Sequence, residues 1–578
     1  MRVIFILAFA LIAASNLYSA ETPPNVIIVL SDDQGYGDLS CHGNPVLKTP
    51  NLDKLHSQSI RLTDFHVAPM CTPTRGQLLS GMDALRNKAT SVCAGRSFLK
   101  PEITTLPEVF SRQGYKTAIF GKWHLGDSYP NLPQYKGFGE SVIHLGWGIT
   151  SMADTWLNDN FDGKFFHNGK LKQFKGYCTD LFFNLGIQWM KQCQQNNQPF
   201  FLYLPTNAPH SPHWVDEKYS KPYLGKGPDK FFGMIANLDE NMGRLEAFLT
   251  ESKLADNTIV IFMNDNGATA GEKVFNAGMR GKKTTYYDGG HRTICFIRWP
   301  AGNIGSPRDI SYTSQIQDIY PTLLGLCKLS PPANMRFDGI SLAPLLQGKN
   351  NSLPDRKIIV QYGQNPKKYE SCVLWNQWRL VHGKELYDIR EDPSQKNDLA
   401  GMKPDILNQM KDHYDKWWND LEPSLNDFVP IVVGNDQQNP VTLSSADWSN
   451  VYCDNMGDLR TGKRINSFWN IIADKDGTYE ISLGRWPSEA KAGFAEGVPA
   501  FKAFDGLIQA GKALPVNSVR LKIGDTDATR EVLQTDKNVV FSVKLSKGKK
   551  YTMQSWMLDK DGKEISGAYF AYVTRRND

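Results

Sequence analysis

Four short runs of apolar, β-branched or aromatic residues in the first half of the chain each end in a polar cluster. Val26 to Leu30 runs into Ser31-Asp32-Asp33, and Thr258 to Met263 into Asn264-Asp265-Asn266-Gly267. Thr117 to Phe120 leads to Gly121-Lys122-Trp123-His124, and Phe200 to Leu204 to a stretch ending at His210. Continuous apolar runs of this length suit strands buried on both faces of a mostly parallel sheet. Ligands bind such sheets beyond the carboxyl ends of the strands, so the four clusters are expected to meet at one edge. Helical signals lie between the strands. The clearest is Phe231, Ile235, Leu238, Met242, Leu245 and Leu249, whose spacings of four and three put them on one face.

From about Ser445 the texture changes to β signals: Thr478 to Leu483, Val519 to Ile523, Val539 to Leu545 and Lys550 to Trp556. Asp561-Gly562 then offers a hairpin turn before Ala568 to Val573. The predicted fold is α/β, a large mostly parallel central sheet flanked by helices. It carries a smaller α+β part and an appended C-terminal antiparallel β-sandwich. The expected organisation is a leader over 1–20, an α/β domain over 21–435 whose smaller subdomain begins near 310, and a β-sandwich over 445–578.

Residues 1–20 pair one positive charge, Arg2, with an apolar run from Val3 to Ala14 and then small and polar residues, which reads as a secretory signal peptide. That run is too short to span a bilayer, and no later stretch approaches the ~18 to 20 apolar residues a transmembrane helix needs. The expectation is an exported protein, periplasmic or extracellular, without stable membrane insertion. A formal charge of +5 is slight for 578 residues and is not gathered in a basic tail, which argues against nucleic acid as a partner and leaves an anionic substrate open. The nine cysteines are spread thinly with no CxxC, so they form no dense disulfide framework. Apart from Cys71 they are read as buried small hydrophobes.

Cys71 stands in PMCTPTRGQLLSG, Pro69 to Gly81, where Pro73, Arg75, Gln77, Leu78 and Leu79 indicate the start of a helix. Helix N-termini attract anions. Taken alone, such a cysteine is a reactive thiol or a buried one. The wider pattern changes the reading. Cys71-Thr-Pro73-Thr-Arg75 with Leu79-Ser-Gly81 resembles the signature of the sulfatase family. The resemblance continues in order through Ser31 to Asp38, Gly121 to Gly126, Ala208 to Pro212, Asn264 to Gly267, Asp288-Gly-Gly290, Asp318 to Thr322, Glu385 to Asp388 and Asn397-Asp-Leu399.

The resemblance implies that Cys71 is oxidised by a formylglycine-generating maturation enzyme to an aldehyde, which hydrates to a geminal diol. One hydroxyl then attacks sulfur and expels the alcohol, and the other collapses the ester and restores the aldehyde. Asp32, Asp33, Asp265 and Asn266 offer only oxygen ligands, which suits a hard cation. By the resemblance they bind one Ca²⁺ together with an oxygen of residue 71. The same likeness implies that Arg75, Lys122, Lys283 and His210 hold sulfate oxygens, that Arg75 also contacts the diol and the ion, and that His124 is the base for elimination. His210 and Lys283 are its candidates for protonating the leaving oxygen. Each of these residues alone has an ordinary alternative: a turn or cap for the acids, a solvated surface position for the cations.

Two departures stand out. Gly281-Lys282-Lys283 replaces the family's Gly-Gly-Lys, so a second lysine competes for the assignment. His42, His213 and His291 sit near motif residues without matching a family position and are read as structural. A leader and a C-terminal sandwich resemble bacterial sulfatases acting on sulfated carbohydrates, polysaccharide or glycan; the sugar and the sulfate position are unreadable. The alternatives are a phosphonate monoester hydrolase or phosphodiesterase of the same superfamily and a noncatalytic glycan-binding protein.

Overall fold

A computed structural model describes residues 22–302, 304–349, 353–533 and 535–576; the leader expected over 1–20 lies outside the described residues. The first apolar run forms the strand Asn25–Ser31, buried along its whole length. It pairs in parallel with Thr258–Asn264 on one side and Phe200–Pro205 on the other. Lys116–Lys122 and Glu140–His144 extend the parallel core. Antiparallel strands then close both sides, Cys295–Arg298 against Thr258–Asn264 and Lys164–His167 against Glu140–His144. The ten-stranded sheet among the described residues is therefore parallel at its centre and mixed at its edges.

Alternation along the central strand explains why it reads as continuously apolar. Val26, Ile28 and Leu30 join the core that includes Leu78, Phe110 and Leu323, whereas Ile27 and Val29 join Phe182, Leu238 and Met242 on the opposite face. The helix Asp229–Glu251 buries the predicted stripe: Leu238, Met242, Leu245 and Leu249 lie against that second face, and Phe231 and Ile235 pack on Leu47 and Tyr223 beside it. A smaller antiparallel sheet runs from Ile358–Val360 to Glu385–Asp388, and the helix Pro404–Leu421 packs on it through Met410, Tyr414 and Trp418.

The C-terminal part consists of two largely antiparallel sheets. Asn538–Leu545 alternates exposed and buried residues throughout, as a strand with one wet face does. Ile431–Val433 and Val441–Ser444, both before residue 445, are strands of these sheets. One expectation is corrected here. The turn at Asp561-Gly562 returns the chain into the short strand Glu564–Ser566, and Phe570–Arg575 crosses to the other sheet to pair with Gly477–Gly484. A turn signal specifies a reversal of the chain, not the sheet that receives the next strand.

Candidate active site

The four polar clusters do meet. Ser31 and Asn264 are paired across adjacent parallel strands. The backbone N–H of Asp265 donates to the Ser31 carbonyl at 3.1 Å, and that of Asp32 to the Ala208 carbonyl at 3.0 Å. Gly121 lets Lys122 close the edge: its φ is +133°, and a Cβ there would lie 1.9 Å from the Pro205 oxygen.

Cys71 is the first residue of the helix Cys71–Ser80, all ten residues of which are buried. The helix ends at Gly81 in the left-handed conformation, packed so closely on Phe337 that a Cβ would fall 2.5 Å from its ring. Burial pushes the Cys71 thiol above its ordinary pKa, with Lys122 and Lys283 opposing. This is not the activated thiolate of a cysteine nucleophile.

His124 faces Cys71, with Nδ1 3.5 Å from Sγ, and its Nε2–H donates to the Val92 carbonyl at 3.1 Å. Lys122 ends the strand Lys116–Lys122, and His124, two residues on, itself adopts the left-handed conformation at φ +58°. Lys122 Nζ donates to Asp32 Oδ2 at 2.7 Å. Arg75 is fully buried, and its guanidinium turns to Asp265 Oδ2 at 2.7 and 3.2 Å and to the Lys122 carbonyl at 3.1 Å. Its observed partners are thus two carboxylates, Asp265 and, at 3.8 Å, Asp32 Oδ1, and the backbone.

Lys283 pairs with Asp33, whereas Lys282 points away toward Glu272, so tertiary placement separates the two lysines. Burial alone would raise Asp33, but Lys283 and His210 outweigh it and hold the carboxyl well below the usual range. His210 donates through Nδ1 to the Ser211 carbonyl at 2.6 Å and turns Nε2 toward Asp33 Oδ2 at 3.7 Å. Burial lowers its pKa to about 4, against the pull of Asp33.

The donor set fits a hard cation. Asp32, Cys71 and Asp265 bring ligand atoms within 4.8 Å of one another. Asp32 Oδ1 and Asn266 Oδ1 are buried without a hydrogen-bond partner among the described residues, and buried acceptors of that kind are ordinarily satisfied. Asp265 is raised to about 6 by burial and by Asp32, despite Arg75. A cation would relieve that repulsion.

His291 is buried against His66, Nδ1 to Nδ1 at 2.9 Å, and His213 packs edge-on to Phe231. Other groups around the site carry no motif. Trp147 lies against the His210 ring at 5.1 Å. His144 is buried beside Lys122 with neither ring nitrogen bonded among the described residues. Tyr452, from the C-terminal region, is half-exposed, and burial and Asp454 push its phenol up; Ala446 of the same segment packs on the cluster that holds Cys71.

The chain matches the Sulfatase family model over residues 24–329. It is 32% identical over 372 residues to N-acetylgalactosamine-6-sulfatase of Homo sapiens, covering 60% of this chain and 69% of that one. It is 29% identical over 468 residues to arylsulfatase A of Homo sapiens, covering 69% of this chain and 89% of the relative. The solved structure of Ps i-CgsB in complex with k-i-k-neocarrahexaose is similar in fold, with a TM-score of 0.63 at 24% identity, over 68% of this chain and 92% of that one.

Proposed function

The chain belongs to the sulfatase family, and we propose that it is an exported hydrolase that removes sulfate from a carbohydrate, polysaccharide or glycan, with formylglycine at position 71 and one Ca²⁺. The observation that carries this reading is the meeting of Cys71, the bare Nδ1 of His124 and the unpartnered oxygens of Asp32 and Asn266 at one sheet edge. Asp32, Asp33, Asp265 and Asn266 would hold the ion. The hydrated aldehyde would supply two hydroxyls on one carbon, and the ion, held by these four residues, would supply Lewis-acid chemistry toward the anionic ester.

The remaining roles belong to the chain's own side chains. Asp32, Asp33 and Asp265 face Arg75, Lys122 and Lys283, so these six charges cancel and a divalent ion leaves the site positive toward an anionic ester. Lys122 and Lys283 hold sulfate oxygens. Arg75 keeps Asp265 oriented rather than gripping sulfate. His124 Nδ1 takes a proton from residue 71, and Lys283, held protonated beside Asp33, delivers one to the leaving oxygen, while the neutral His210 turns a bare Nε2 to the site. Trp147 and Tyr452 flank the entrance, where aromatic rings contact a sugar. In this division the α/β region, which ends before the strand Ile431–Val433, performs the sulfur chemistry and the sheets from that strand onward shape the rim.

Peptide mass spectrometry across Cys71, on protein made with the maturation enzyme, combined with sulfate release from a panel of sulfated saccharides, tests the proposal. Formylglycine and saccharide desulfation are expected together. Full activity with an unmodified thiol would overturn the mechanism, and turnover of phosphonate esters alone would replace the substrate class.

A further inference from the structure

Beside the strand Cys295–Arg298, next to the catalytic edge, Cys41, His42 and His56 bring three ligand atoms within 4.8 Å of one another. They line a cleft of about 210 Å³ together with Tyr36, Arg61 and Phe296. Cys41 is the one cysteine of the nine that is not buried.

The two short elements that carry these residues are stapled together independently of any ligand. Asp53, on the helix Pro50–Ser57, accepts from the Ser40 hydroxyl at 2.6 Å and from the Cys41 backbone N–H at 3.0 Å. His42 donates Nδ1–H to the Tyr36 carbonyl at 2.7 Å and stacks on the Tyr36 ring at 4.1 Å. A carbonyl only accepts, so Nε2 holds the lone pair. A second ring N–H anchored on a backbone carbonyl is the arrangement that orients metal-bound histidines. His56 stands edge-on to Phe296 at 5.2 Å and to His42 at 5.8 Å. Burial lowers both histidines, His42 to about 4, so both are neutral and able to ligate at neutral pH. The charged groups around them are Asp53, Arg61, Asp309 and Arg292, two of each sign, with Arg61 already paired to Asp309.

A second cluster, His66, Asp288 and His291, has similar ligand types but differs in charge. There the fully buried Arg379 sits on both Asp64 and Asp288 and already supplies the cation. In the Cys41 cleft the lining guanidinium, Arg61, is turned to Asp309 instead of the three ligand groups.

We propose that Cys41 Sγ, His42 Nε2 and a ring nitrogen of His56 bind one Zn²⁺, with the fourth position turned to the cleft. One thiolate and two imidazoles form a borderline-soft set that favours zinc over the hard ions suited to the all-oxygen site. On binding, the thiol proton of Cys41, which burial and Asp53 hold on the sulfur, leaves to solvent as the S–Zn bond forms. The ion would pin the loop that follows Asp32-Asp33.

The test uses the full-length protein, stripped of metal and then saturated with Ca²⁺ so that the oxygen site is filled. Zinc is titrated by calorimetry and counted after gel filtration, and Co²⁺ is substituted as a spectroscopic probe. One zinc per chain is expected, with a thiolate-to-cobalt charge-transfer band in the near ultraviolet. Cys41→Ser and His56→Ala should each weaken zinc binding by more than the ~10 to 100-fold that loss of an outer-shell partner costs. Absence of stoichiometric zinc, or a cobalt complex without that band, would overturn the site on wild-type protein alone. Equal zinc affinity in wild type and both variants would do the same.

Discussion

His124 Nδ1 lies 3.5 Å from Cys71 Sγ, while Val92 holds the proton of the same ring on Nε2. Burial, helped by Lys122, keeps this histidine well below its ordinary pKa, so it offers residue 71 a base throughout the neutral range. His124→Ala is expected to lower kcat on a small aryl sulfate by about 10² to 10⁴, the usual contribution of a positioned base, with KM little changed. Steady-state kinetics decide it. A loss confined to KM would make His124 a binding group instead.

Asp265 carries two loads, because the guanidinium of Arg75 rests on it in a fully buried pair. Breaking a buried pair by removing one partner costs about 3–5 kcal/mol, and the loss of Asp265 would leave Arg75 only the more distant Asp32 carboxylate at 3.8 Å. Asp265→Ala should therefore lower the melting temperature as well as abolish activity. Asp265→Asn keeps an acceptor for Arg75 and should retain the fold while losing turnover. Calorimetry with and without Ca²⁺ supplies the check: if the proposed site binds the ion, 100 times Kd should stabilise wild type by about 2.7 kcal/mol. An undiminished response in the Asn variant would remove Asp265 from the ligand set.

The acidic clusters were legible because each follows a run buried on both faces, and such runs end at the edge where parallel sheets bind ligands. The helix Asp229–Glu251 was legible for a similar reason, its stripe being a local property. What the chain does not encode locally is choice of partner. Arg75 reads as a sulfate ligand until it is found 190 residues away in sequence, on Asp265. Lys282 and Lys283 are equivalent in composition and are separated only by Glu272 and Asp33. Tyr452 and Trp147 have no motif at all; their position depends on how the C-terminal sheets dock.

Asp154 offers a test of pH dependence in the cleft between the two regions. Its Oδ2 is buried and unpartnered among the described residues, and burial raises its pKa to about 8, against a hydrogen bond from Asn158. The folded value lies above the ordinary 3.8, so its contribution to stability is complete below about pH 3.8 and is lost as pH rises through about 8. Asp154→Asn, neutral at every pH, should melt above wild type at pH 8 and gain less at pH 5. Equal differences at both values in scanning calorimetry would mean that Asp154 does not titrate in this window.

The segment that carries Tyr452 is bonded to the α/β region at several points, and its Ala446 packs on the cluster that holds Cys71. The Ala94 N–H donates to the Ala446 carbonyl at 3.1 Å, the Asn450 N–H to the Ala94 carbonyl at 3.3 Å, and the Trp147 indole to the Asp454 carbonyl at 3.0 Å. A second bridge is formed by the hairpin of Phe501–Ala503 and Gly506–Ile508. There Phe504 stacks on Phe161 at 3.7 Å, and Asp505 pairs with Lys230 at 2.7 Å. Deleting everything after about residue 428 would also uncover Phe98 and Met152, which belong to the sandwich core. A point substitution is therefore the cleaner probe of what this region contributes. Tyr452→Ala should leave a small aryl sulfate turned over within about twofold. It should lower kcat/KM for a sulfated saccharide about tenfold, equivalent to ~1.4 kcal/mol, mostly through KM. Parallel losses on both substrates would place Tyr452 in the sulfur chemistry. No loss on either would show that the C-terminal region touches no part of the sugar, and the rim assigned to it would have to be given up.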